Sequence, residues 1–112
     1  MHYRVFYLFE RAGEAVSSAN AIEMSARSIC EQLLPRLQGA DDYLGLIDAQ
    51  DNILQVLREP ATAGGYWLEL PLDAAKASYG RELDFATLQT LLLELPAVFE
   101  REDIPGLEYR PW

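Results

Sequence analysis

Apolar positions along the chain switch between a period of two and a period near 3.6, and the switches mark out its elements. Residues 3–9 are aromatic and β-branched, with Val5, Tyr7 and Phe9 on one side and Phe6 and Leu8 on the other. Both sides are apolar, which predicts a strand covered on both faces and not a sheet edge. Gly13, Ser17 and Ser18 then predict a loop over residues 11–18. Over residues 19–34 the spacing becomes helical, with Ile22, Ala26, Ile29, Cys30, Leu33 and Leu37 in one stripe. Asn20, with Glu23 three residues on, predicts the N-terminal cap of this helix, and Pro35 its end.

The period of two returns over 43–47 and 53–57. These apolar runs flank Asp48-Ala49-Gln50-Asp51-Asn52, whose Asp and Asn residues tolerate the positive φ of a tight turn, so a hairpin is expected. A second loop, over 59–65, carries Pro60, Gly64 and Gly65. A strand follows over 66–70, with Tyr66, Leu68 and Leu70 opposite Trp67 and Glu69. Residues 71–82 include Gly80 and predict a loop with a short helical turn at 73–77. Asp84 caps a second helix over 85–95, with Phe85, Leu88, Leu91, Leu92 and Leu95 as its stripe and Pro96 as its stop. In the tail, 97–112, Phe99, Ile104, Leu107, Tyr109 and Trp112 are expected to pack back onto the body. The order β-α-β-β-β-α predicts an α+β fold: an antiparallel sheet of about four strands with two helices packed on one face.

Length and composition bound this picture. A chain of 112 residues, half of them hydrophobic, is the size of a single domain, 1–112, able to build its core without a metal or a disulfide. Cys30 is the one cysteine; it lies on the apolar stripe, which predicts a small core residue in a reducing, cytoplasmic compartment. No basic leader precedes a long apolar run, and no run is long enough to span a bilayer, so neither a secretory signal nor a membrane anchor is expected.

The charge is uneven. Residues 1–40 are neutral overall, whereas residues 41–112 set five bases against fourteen acids, which is the whole net charge of −9. Such a field repels nucleic acid, as does the presence of only one lysine, Lys76, and it attracts a protein with a basic surface. That attraction is strongest if the acids gather on one side of the folded chain.

Candidate chemistry is sparse. His2 and Cys30 are single and far apart, which supports neither a nucleophile–base pair nor a zinc site. The neighbouring carboxylates, Asp41 with Asp42 and Asp48 with Asp51, sit in polar turns, and the second pair lacks the spacing of a calcium loop. Gly64-Gly65 has no following lysine or helix to make a phosphate loop. No catalytic residue, cofactor or metal is therefore expected. What remains is surface. Asp41, Asp42, Tyr43, Trp67, Glu69, Tyr79 and Tyr109 combine aromatics that anchor with acids that steer, and they are the candidate partner-binding residues.

The segments Asp51–Val56 and Tyr66–Pro71, followed by the helix over 85–95, resemble small acidic immunity proteins of bacterial toxin systems. The shared pattern spans about 45 residues: a strand with a Leu-Gln core, a glycine-containing turn, a strand ending in Glu-x-Pro, then a helix. The resemblance implies a non-enzymatic protein that binds and blocks a cognate toxin. It assigns no toxin-facing residue to this chain, and the N-terminal strand over 3–9 and the first helix over 19–34 contribute nothing to it. The alternatives are a structural protein acting as a homo-oligomer, a homodimer included, and a small-ligand-binding domain.

Overall fold

The computed structural model describes residues 1–59, 65–72 and 75–111. Residues 60–64 of the second expected loop, residues 73 and 74 of the expected helical turn, and Trp112 lie outside the described residues.

The chain forms one antiparallel sheet of eight strands, which overturns the expectation of about four strands with two helices packed on one face. In sequence the strands are β1 (His2–Phe9), β2 (Glu14–Val16), β3 (Ile22–Ser25), β4 (Tyr43–Ile47), β5 (Ile53–Glu59), β6 (Gly65–Leu72), β7 (Ala77–Leu83) and β8 (Glu108–Pro111). Their spatial order is β2-β1-β4-β5-β6-β7-β8, and β3 joins β2 along the outer side of β1. Among the described residues, helical structure is limited to a segment that begins as helix α1 (Ala26–Ser28) and continues in π and 3-10 turns to Arg36, to α2 (Phe85–Glu94), and to isolated 3-10 turns.

The expected first helix starts late for a physical reason. Residues 22–25 extend and pair with the first half of β1, so Ile22 is exposed instead of leading a buried stripe. Asn20 sits in a 3-10 turn, and the cap is Ser25, whose Oγ accepts the Ser28 N–H at 3.1 Å. Beyond it, Ala26, Ile29, Cys30, Leu33 and Leu37 are buried at the predicted spacing. The α2 cap is as expected: Asp84 accepts the Thr87 N–H at 2.7 Å.

The sheet has a near face and a far face. Val5, Leu46, Leu54, Leu68 and Leu83 from the near face meet Ile29, Leu34, Leu88 and Leu92 from the helical segments in one buried cluster. Phe99 and Ile104 of the tail close it, and the buried Tyr3 hydroxyl donates to the carbonyls of Leu95 and Pro96, both at 2.8 Å. Among the described residues, no far-face side chain belongs to this cluster. Among the described residues, no helix is long and apolar enough to cross a membrane.

Both outer edges are short. One is divided between β2 and β3, three and four residues long; the other is β8, four residues ending in proline. Short, interrupted edges offer little template for strand pairing between molecules.

Candidate binding surface

Strand register places the far-face side chains. One row across the sheet runs Leu8, Tyr43, Leu57, Trp67 and Glu82. The next runs Phe6, Gly45, Gln55, Glu69, Gly80 and Glu108. The first row is thus four large apolar or aromatic side chains, all half-buried, ending in an exposed acid.

Two glycines shape this surface. The Phe6 ring lies on Gly45 and the Trp67 indole on Gly80, so closely that a Cβ at either position would collide with the ring. Covering a strand glycine with an aromatic flattens the ring onto the backbone and spares the sheet the weakness of a bare glycine. The indole N–H donates to Glu69 Oε2 at 3.0 Å, and the Arg110 guanidinium stands over the ring, 4.2 Å from its centroid. Gly80→Ala should therefore displace the indole. The expected result is a changed Trp67 fluorescence and a stability loss of about 1–2 kcal/mol in chemical denaturation; an unchanged emission would show that the ring does not rest there.

The candidate residues chosen from sequence divide into separate places. Tyr43, Trp67 and Glu69 share the far face. Tyr79 and Tyr109 lie in the near-face register at the β7–β8 end, with ring centroids 5.5 Å apart. There Arg101 donates to the Tyr79 hydroxyl at 2.7 Å, beside a groove of about 430 Å³ lined by Asp51, Asn52, Leu70, Tyr79, Phe99 and Arg101. Asp41 is exposed in the turn before β4.

Asp42 is a correction. It is buried, and its carboxylate accepts N–H groups from Glu10, Gln38 and Gly39 at 2.9–3.1 Å, so it holds a turn and cannot meet a partner. Burial pushes its carboxyl up, but those N–H groups, with Arg11 nearby, outweigh burial and hold it below the usual value. Sequence reasoning also missed Phe6, Leu8, Leu57, Glu82, Glu108 and Arg110. The available signal was the doubly apolar alternation of residues 3–9, which reads equally well as a strand covered twice.

The acids do not gather on one side. Asp42 and Asp48 are buried, Glu14, Glu31 and Asp51 are in ion pairs with Arg36, Arg27 and Arg4, and Glu94 and Asp103 line a groove between α2 and the tail. Glu69, Glu82 and Glu108 stand on the far face. Local acidity around Trp67, not a single charged side, is what the fold provides.

Cys30 is buried and its Sγ lies 3.8 Å from the Gln89 carbonyl. Burial first, and Glu31 second, push its thiol up, away from the reactive thiolate. Among the described residues, no group of His, Cys, Asp and Glu side chains is arranged to hold a metal ion.

Neither a protein-family model, nor a curated protein, nor a solved structure matches the chain.

Proposed function

We propose that the chain is a non-enzymatic binding module that meets another protein with a basic surface through the far face of its sheet. The observation that carries this reading is the row Leu8, Tyr43, Leu57 and Trp67, apolar and outside the core cluster, bordered by Glu69 and Glu82. Aromatics and leucines at the centre with charges at the rim are the arrangement of a protein interface. The net charge of −9 speeds encounter with a basic partner whichever way the chain approaches. The groups with chemical potential are committed elsewhere: the carboxylates of Asp42 and Asp48 accept backbone N–H groups, and the Cys30 thiol is buried.

The sharpest form of the proposal is an immunity protein that neutralises a basic toxin in the cytoplasm, where the lone reduced Cys30 is at home. Self-pairing through the sheet edges is the weaker reading, because both edges are short.

The test is retention of a partner by the immobilised chain. Host extract should yield a strongly basic protein that salt releases. Leu57→Glu sets a charge in the middle of the far-face row without entering the core, and should lower retention about tenfold or more. A basic partner held equally by wild type and Leu57→Glu, or no basic partner at all, overturns the proposal.

A further inference from the structure

The surroundings of Trp67 differ from the rest of the far face. The indole is fixed from below by Gly80 and at its N–H by Glu69. Glu82 stands directly across from Trp67 on β7, and Glu108 stands across from Gly80 on β8. Glu69 thus meets the edge of the indole, and Glu82 and Glu108 share the hollow beside it. The cation on the ring is the protein's own: the Arg110 guanidinium lies 4.2 Å from the ring centroid, and its Nη2 is 4.0 Å from Glu108 Oε2. Trp67, Arg81, Glu82, Gly106, Glu108 and Arg110 line this hollow of about 350 Å³.

A guanidinium on an indole, flanked by carboxylates, is favoured by the ring quadrupole and by charge. Arg110 is weakly held in that position. It belongs to a four-residue edge strand with every side chain exposed, and its contact with Glu108 is at the outer limit of an ion pair. We infer that Trp67, Glu69, Glu82 and Glu108 form a receptor for an arginine side chain of the partner, and that Arg110 is a resident stand-in which the incoming arginine displaces. The inference rests on the far face being the partner-facing surface, and it gives the steering charges a specific anchor there.

The probe is acetyl-arginine amide, which carries the guanidinium without a carboxylate; acetyl-citrulline amide is its neutral counterpart. Binding is read from the Trp67 indole N–H resonance in a Trp112→Phe background, where Trp67 is the sole tryptophan. The arginine probe should shift that resonance saturably in the millimolar range, and the citrulline probe should not. Arg110→Ala removes the stand-in and should tighten arginine binding roughly two- to fivefold, the worth of an exposed cation–π contact. Arg27→Ala changes the net charge equally at an exposed site on α1 and should leave binding unchanged. No saturable shift, equal binding of the two probes, equal tightening by Arg27→Ala, or weaker binding by Arg110→Ala each overturns the inference. Such a failure leaves Leu57-dependent partner retention intact if only the arginine site is wrong. Loss of both would remove the far face itself.

Discussion

Asp48→Ala is expected to lower the free energy of unfolding by about 3 kcal/mol, seen as a lower urea midpoint with an unchanged slope. Asp48 directly follows β4, and each of its carboxylate oxygens accepts two hydrogen bonds. Oδ1 accepts the N–H groups of Gln50 and Asn52, each at 2.9 Å, and shapes the hairpin turn. Oδ2 accepts the Asn52 side-chain amide at 2.9 Å and the buried Phe99 N–H at 2.6 Å, and so ties the tail to the hairpin. Alanine leaves the Phe99 N–H without a partner inside the protein, which is the expensive way to lose a hydrogen bond. A loss below about 1 kcal/mol would show that the tail is held by its apolar contacts alone.

The same carboxylate makes the fold acid-sensitive. Burial pushes the Asp48 carboxyl up, but the N–H groups of Phe99, Asn52 and Gln50 outweigh burial and hold it below its ordinary value of 3.8. Asp42 is shifted in the same direction. A carboxyl lowered in the folded state contributes stability above its unfolded value, and that stability is lost as pH falls through 3.8 and below. Acid unfolding monitored by circular dichroism should therefore become shallower in Asp48→Asn, which keeps one acceptor oxygen and cannot titrate.

Leu68→Ala is expected to cost about 3 kcal/mol, within the range of roughly 2–5 kcal/mol for deleting a buried leucine. Leu68 is wholly buried at the centre of β6, between Val56 of β5 and Arg81 of β7. The central strands of a sheet relax little into a cavity, so the lost contacts are not recovered. The informative comparison is Leu57→Ala on the adjoining strand, which points to the far face. It should cost about 1 kcal/mol or less, since its side chain is half-buried and outside the core. Equal losses at the two positions would mean that the sheet has two cores and no open face.

The strands at 3–9, 43–47, 53–57 and 66–70 and the helix from Asp84 were legible because each carries an apolar period, a turn signal or a cap in its own residues. The four remaining strands carry no such signal. β2 has three residues, two of them exposed, and β8 has four, all exposed. Both exist because a longer neighbour offers a ladder. β3 contains Ile22 at a position that also suits the helical stripe of residues 19–34, and pairing with β1 decides between the two. β7 was obscured by Gly80, which reads as a loop residue until the Trp67 ring is laid over it. The candidate surface was half legible for the same reason. Trp67, Glu69 and Tyr43 stood out by type, but their companions Phe6, Leu8 and Leu57 are ordinary core-type residues whose openness depends on which face the helical segments cover.

The bonds from Tyr3 to Leu95 and Pro96 span most of the polypeptide, and the bond between Asp48 and Phe99 links its middle to the tail. They fix the order of events during synthesis. β1 can pair with β3 and β4 early, but the cluster that includes Phe99 and Ile104 is not sealed until those late residues have emerged. Until then the nascent chain carries an unsealed apolar layer, and its closure is expected in the millisecond-to-second regime of non-local β pairing, not in the faster collapse of a helical bundle.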